Sequence, residues 1–403
     1  MNDLLCQFSF KNFMSYKDET VFDLQAAQLS EFSDSIITFD SVSNLLPVSV
    51  IYGPNGGGKT NLLKALSSLI SIVTKPIEDL GKNRNELILQ QETDCEPFAL
   101  DSNSKNDPTE FNIYFRTEKN EFRYYIALKS GVVISEVLQR RSIGGKKTAL
   151  IFEREGDDIT LGASINKARV SKDVNPKMPY LSFLAITYNF PIIAEVQLWF
   201  ESCIIRSYAN PMIEHSIMLS DDESFKGSFI SALNDMGIDV SNYRYDKESE
   251  QIFLSRTVHD EEFELPFFAE SDGTRKVFVA LPVLMVALAQ GRLVIIDELD
   301  AKLHPKLLRY IITLFTNRNI NKYGAQLLFT SHDMSTMKSD VFRRDEIWFA
   351  ALNNEHSSEI YSLYEIRRED GSRINTTASY DKQYLEGRYG ADPYLRSMMN
   401  WEV

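Results

Sequence analysis

The chain has 403 residues, enough to bury a sizeable core as two or three domains or as one domain with a large insertion. With 43% hydrophobic and 25% charged residues it is neither disordered nor fibrous in composition, and a formal net charge of -14 gives no overall pull toward nucleic acid or anionic membrane. Cys6, Cys95 and Cys203 are far apart, odd in number and without metal-type spacing, which suits a reducing cytoplasm better than a disulfide scaffold.

From the N-terminus, residues 5–24 alternate and carry β-prone aromatics, which predicts a strand pair. The apolar run 46–53 ends in glycine, as a buried strand does, and "NLLKALSSLISIV" behind it has helical spacing. Between them "GPNGGGKT" fits G-x-x-x-x-G-K-[ST], with Gly53, Gly58, Lys59 and Thr60 in the defining places. Backbone N–H groups surround a polyphosphate only where no side chain blocks the approach, and the following helix adds the positive end of its dipole. In such a cradle Lys59 reaches the β and γ phosphates of ATP and the Thr60 hydroxyl is a ligand for Mg²⁺. Pro54, Asn55, Gly56, Gly57 and Asn61 complete the candidate nucleotide-binding stretch. A turn that is merely glycine-rich is the alternative, and the flanking strand and helix count against it.

Residues 109–153 read as antiparallel strands separated by Gly, Asn and Lys turns. The basic cluster Arg140, Arg141, Lys146 and Lys147 flanks one such turn and reads as a solvated hairpin, with a phosphate-contacting hairpin as the other option. Between 162 and 245 the pattern turns helical and breaks near Pro191, suggesting an inserted helical subdomain. Strand-like text returns at "QIFLSRTV" and "EFELPFF", followed by a helix from about 273, a strand at 292–298, a helix across 303–317 and a strand at 325–331. This alternation implies a mainly parallel, helix-covered sheet of the α/β class. The most apolar stretch, 277–291, is too short to span a membrane, contains Pro282 and reads as a buried helix.

Three further motifs carry chemistry. "LVIIDELD" brings Asp297 and Glu298 to the C-terminal end of a strand, where open parallel sheets bind ligands. There Asp297 can hold Mg²⁺, directly or through water, and Glu298 can take a proton from an attacking water, although paired acids at that place also cap helices. "QLLFTSHD" ends a buried strand on Thr330, Ser331 and His332, and the histidine can hydrogen-bond a γ phosphate or serve structure alone. In "ESDGTRKVF", Ser271 can cap the next helix; the same helix N-terminus, with Thr274 and the bare backbone of Gly273, is also an anion site able to face a second subunit's ATP.

Together the phosphate loop, "SDGT", "IIDELD" and "TSHD" resemble the ATP-binding-cassette-type ATPase heads of the SMC, RecF and OLD group. More narrowly, "ESDGTRK", "DELDAKLHP", "FRRDEIWF" and "YLEGRYGADPYL" look like the bacterial AAA-family proteins of RloA and AbiLi abortive-infection type, over roughly residues 1–160 and 250–403. The resemblance implies an ATPase head divided as 1–161 (phosphate loop and antiparallel lobe), 162–245 (helical insert), 246–350 (signature, acidic strand end and histidine) and 351–403 (C-terminal strand and tail). It implies a homodimer, alone or within a higher oligomer, that buries two Mg-ATP molecules. In it Glu298 is the catalytic base, Asp297 serves the metal, Asp300 lies in the cross-dimer loop, His332 senses the γ phosphate, and Ser271 and Gly273 act in trans. Glu270 and Asp272 stand where transporter-like signatures carry leucine and glycine, putting negative charge near phosphate. The glutamine that couples nucleotide to the lid has only Gln90 and Gln91 as candidates. The insert, with Pro176, Pro179, Pro191 and Pro211, cannot sustain coiled-coil heptads, and the tail "GRYGADPYL" reads as packing or as a contact.

The expectation is therefore a cytoplasmic ATPase whose nucleotide-dependent dimerisation controls a separately encoded effector, such as a nuclease, in anti-phage defence. The competing expectations are a RecF-like DNA-repair ATPase, which the acidic composition disfavours, and a nucleotide-gated scaffold with little turnover.

Overall fold

The computed structural model describes residues 3–81, 95–165, 170–207, 222–368 and 370–391. Gln90 and Gln91, part of the expected insert and the end of the tail lie outside these residues. The first half contributes strands β1 (Leu4–Lys11), β2 (Thr20–Asp23), β3 (Val48–Tyr52), β4 (Thr109–Arg116), β5 (Asn120–Lys129), β6 (Val132–Ser142), β7 (Ala149–Glu155) and β8 (Asp158–Leu161), with helix α1 (Lys59–Glu78). Then come α2 (Tyr180–Thr187), α3 (Pro191–Ser202), β9 (Ile204–Ser207), α4 (Glu223–Asp235), β10 (Asn242–Asp246), β11 (Gln251–Val258) and β12 (Glu261–Pro266). The last part holds α5 (Asp272–Gln290), β13 (Leu293–Asp297), α6 (Pro305–Thr316), β14 (Gln326–Thr330), β15 (Ile347–Leu352), β16 (Ser358–Ser362) and α7 (Tyr380–Leu385).

One layer is a six-stranded sheet in the order β16-β15-β3-β14-β13-β9, parallel throughout except for the β15–β16 hairpin. Its central strands are apolar on both faces because helices cover both. Val50, Val294, Leu327 and Phe349 enter one core with α5 and α6, whereas Ile51, Ile295, Leu328 and Trp348 enter the other with α1. The second core is closed by a seven-stranded antiparallel sheet, β2-β1-β4-β5-β6-β7-β8. There the buried positions alternate as a one-faced sheet requires, with Ile113 opposite Tyr124 and Phe115 opposite Phe122. A small β10-β11-β12 sheet leads into α5. Among the described residues no single helix is long and apolar enough to cross a membrane, and the 277–291 run lies in the buried helix α5, as expected.

Within the expected insert, 162–245, the described helices pack into cores shared with the first half of the chain. Helices α2 and α3 share the core of α1, with Trp199 stacked on Phe115 at 4.2 Å between ring centroids. Directly after α3, Ile204–Ser207 becomes a strand and pairs in parallel with β13 at the edge of the six-stranded sheet. The physical reason is that α2 and α3 are too apolar to stand in solvent, and α1 has an apolar face that needs cover. Buried Glu136 on β6 fastens this arrangement by accepting from the N–H groups of Tyr180 (2.6 Å) and Leu181 (2.9 Å) at the start of α2. The basic hairpin is partly neutralised within its own sheet, where Arg141 pairs with Glu121.

A fully buried side chain, Gln326 at the start of β14, ties the two large sheets together. Its amide oxygen accepts from Leu5 N–H (2.7 Å) and its amide nitrogen donates to the carbonyls of Leu5 and Leu46 (both 3.0 Å). Strand β1 has a bulge between Leu5 and Gln7, which turns the main chain of Leu5 toward this partner. Replacing Gln326 by leucine removes the partner of three buried main-chain groups, and each such group left unmet costs roughly 1–3 kcal/mol. We expect Gln326→Leu to lower the unfolding free energy by about 3 kcal/mol in urea titration; a change below about 0.5 kcal/mol would show that the sheets do not depend on it.

Candidate functional site

The phosphate loop is shaped by its neighbours as well as by room for a ligand. Gly53 has φ +148°, and a methyl group there would overlap the carbonyl oxygen of Ala350 on β15. Gly58 has φ +108°, and a side chain there would run into Ser358 and the hydroxyl of Tyr16. Asn55 and Gly56, at the tip of the loop, are exposed. Behind the loop, Tyr16 donates to the Gly58 carbonyl (3.1 Å), Asn61 donates to Ser15 (2.9 Å), and Ser358 donates to the same hydroxyl (2.8 Å). Ser15, Tyr16 and Ser358 escaped sequence reasoning, since they are remote in the chain and belong to no motif.

At the first residue of α1, Lys59 is buried, and its ammonium donates to the carbonyls of Gly53 (2.9 Å) and Pro54 (3.1 Å). Burial lowers its pKa, while Asp297, Glu298 and Asp300 pull the other way. Those carboxylates therefore share the electrostatic environment of the lysine. Thr60 donates to the Asp297 carboxylate (3.0 Å to Oδ2), which also accepts from the Thr330 hydroxyl (2.6 Å to Oδ1). Three elements thus meet on one carboxylate: the start of α1 and the ends of β13 and β14. The Thr330 hydroxyl in turn accepts from the Glu298 N–H (2.7 Å). Glu298 has φ +52°, an uncommon backbone for a residue with a side chain, and it is exposed at the strand end.

The hydroxyl of Thr60 beside the Asp297 carboxylate is a hard-oxygen donor set that suits Mg²⁺. Such an ion is commonly held by one or two protein oxygens plus substrate phosphates, and the ordered glycine cradle supplies the place for those phosphates. Asp300 accepts from the His332 N–H (3.0 Å), and its other carboxylate oxygen is buried without a hydrogen-bond partner among the described residues. The His332 side chain is exposed.

Residues 271–274 sit elsewhere. Ser271 caps α5 by accepting from the Thr274 N–H (3.1 Å), and the Thr274 hydroxyl lies 2.9 Å from it. Gly273 lies against the carbonyl of Lys302. Both acids at the unusual signature positions are paired: Glu270 with Arg256 through two hydrogen bonds (2.6 and 2.9 Å), and Asp272 with Arg275 and with Lys302 (2.8 Å). The Lys302 and Arg275 contacts hold the Asp272 carboxyl below its usual range. The negative charge expected beside phosphate is therefore offset locally. Among the described residues no hydrogen bond or ion pair joins 271–274 to 53–61.

The family model described as "AAA domain, putative AbiEii toxin, Type IV TA system" matches residues 48–338. No curated protein matches the sequence closely enough to count as a relative. Among solved structures the chain is similar to the SMC head domain from Thermotoga maritima, at 14% identity, with 90% of this chain and 99% of that one covered and a TM-score of 0.43. It is also similar to the Smc head domain with an extended coiled coil, bound to the C-terminal domain of ScpA, from Pyrococcus furiosus (11% identity, 89% and 96% covered, TM-score 0.41). A further match is the recombination mediator RecF with ATP (11% identity, 89% and 98% covered, TM-score 0.32).

If Thr60 and Asp297 together receive the metal, Thr60→Val should weaken ATP binding about tenfold in the presence of Mg²⁺, the value of one hydroxyl interaction. Calorimetric titration in EDTA should then find both proteins equal, whereas an equal loss with and without Mg²⁺ would count against the metal role.

Proposed function

The chain belongs to the AAA family of AbiEii type and is an ATPase, and from that premise we propose that it acts as a homodimer closed around two Mg-ATP molecules. Each nucleotide is held by the phosphate loop of one copy and completed by residues 271–274 of the other. Closure controls a separately encoded effector protein, such as a nuclease, in cytoplasmic anti-phage defence of the abortive-infection kind.

What supports the dimer is the position of the α5 N-terminus. Ser271 and Asp272 are exposed and the segment is bound to Lys302, not to the phosphate loop of its own chain. A capped helix start with free approach is a place for an anion, and a second copy brings one.

Within each half-site, the loop between Gly53 and Lys59 receives the phosphates on its free main-chain N–H groups, and Lys59 exchanges its loop carbonyls for phosphate oxygens, which are the stronger, charged acceptors. Thr60 and Asp297 hold Mg²⁺, which when bound offsets phosphate charge. Glu298 accepts the proton of the attacking water, and the exposed carboxylate at a fixed strand end is free to reach it. His332 donates to the γ phosphate, and Asp300 holds the main chain of that histidine. Ser271, Gly273 and Thr274 of the second copy supply the remaining donors. Asn61 keeps the start of α1 against Ser15.

The test is a single substitution. Glu298→Gln keeps the shape of the side chain and removes the base, so phosphate release should fall by about 100-fold or more while ATP still binds. With Mg-ATP the same variant should shift from one copy to two in light scattering, and adding Lys59→Ala should abolish the shift. A protein that stays monomeric with Mg-ATP and Glu298→Gln would end the dimer reading, and unchanged turnover would end the base assignment.

A further inference from the structure

A lysine ammonium is rarely taken out of water without specific acceptors. Lys276, in the second turn of α5, is 2% exposed, and burial lowers its pKa to about 8, with Asp300 and Glu298 opposing. Its ammonium donates to two main-chain carbonyls, those of Glu298 (2.7 Å) and Ala301 (2.8 Å). Both belong to the turn that leaves β13, which is further closed by Ala301 N–H donating to the Glu298 carbonyl (3.1 Å).

The peptide groups on the two sides of Glu298 are therefore held by different elements. Thr330 on β14 takes the N–H, and Lys276 on α5 takes the C=O. Between them lies the left-handed backbone of Glu298, φ +52°. A residue with a Cβ persists in that region only when its surroundings over-determine it. The Glu298 side chain is exposed and has no described hydrogen bond of its own, so the backbone is what sets the direction in which it leaves the chain.

From this we propose that Lys276 is a positioning residue for hydrolysis: by gripping the Glu298 and Ala301 carbonyls it sets the backbone that aims the Glu298 carboxylate at the phosphate loop. The proposal rests on Glu298 being the base. The described bonds of Lys276 go to the turn after β13, so the proposal predicts a loss in turnover and not in nucleotide binding. It sits on the helix that begins at Ser271, and the segment offered to the second copy and the carboxylate that acts on the first nucleotide are therefore parts of one bonded unit.

The experiment uses the full-length chain with Mg-ATP. Lys276→Met keeps the length of the side chain and removes the donors. We expect kcat to fall about 100-fold, the loss that a misaimed group causes, with the ATP dissociation constant within about twofold of the parent. Lys276→Gln, which keeps one donating amide, should fall between the two, and it serves alone should the methionine variant not fold. The decisive readout is the pair with Glu298→Gln under single-turnover conditions. A residue acting through Glu298 costs nothing more once that carboxylate is gone, whereas a general packing role multiplies the two losses. Normal kcat in both Lys276 variants, or multiplied losses, overturns the role of Lys276 while Glu298→Gln remains inactive. Full activity of Glu298→Gln by itself would remove the base reading and this proposal with it.

Discussion

The site depends on one carboxylate accepting two hydroxyls. Asp297 receives Thr60, 237 residues away in sequence, and Thr330, 33 residues away, so the phosphate loop and the acidic strand end have a defined relation only once the parallel sheet has formed. None of the three residues is unusual alone. What aligns them is the order β3-β14-β13, which sets the loop that follows β3 beside the ends of the other two strands. Because the central strands are buried on both faces, a slip of one residue would turn every apolar side chain to the wrong core and also move Asp297 away from Thr60. Register and chemistry are enforced by the same packing.

That dependence explains what could be read in the chain. The phosphate loop and the acidic strand end are legible because each is a short apolar run ending in polar residues of fixed spacing, a signal contained within about ten residues. The antiparallel sheet is legible for a similar reason, its strands alternating between core and solvent. The placement of 180–207 is not. Helix α2 is apolar nearly all round, so periodicity does not say which face is buried or against what, and "CIIRS" pairs as a strand at the edge that β13 offers. Ser15, Tyr16 and Ser358 are invisible for a plainer reason. Their bonds span 42 to 343 residues, and no local pattern encodes such a separation.

Electrostatics follows the same division between what is local and what is tertiary. The net charge of -14 suggests a surface hostile to anions, and the acids at 270 and 272 sharpen that impression. In the folded chain each meets a cation: Glu270 faces Arg256 on β11, and Asp272 faces Arg275 and Lys302. Charge close to a helix start matters only as the sum within a few ångströms, since solvent and salt screen the rest. The charge of these two acids at the start of α5, which Ser271 caps, is thus offset by neighbouring cations despite the acidity of the chain.

Two buried lysines complete the design, and their comparison shows how one physical device serves two ends. Lys59 and Lys276 both leave water, both have a pKa lowered by burial, and both meet a pair of main-chain carbonyls. For Lys59 the carbonyls belong to a loop whose exposed glycine tip admits a ligand, so a phosphate can compete for the ammonium, and its desolvated charge is worth more to that phosphate than a hydrated one. For Lys276 the carbonyls belong to the turn that leaves β13, and the ammonium that meets them comes from α5 and is almost wholly buried. In the proposed function the first lysine exchanges its acceptors and binds phosphate, and the second keeps its carbonyls and holds a backbone. Burial alone does not distinguish them, and neither does residue type. The distinction comes from the accessibility of the acceptors, which is set by glycine in one place and by helix packing in the other.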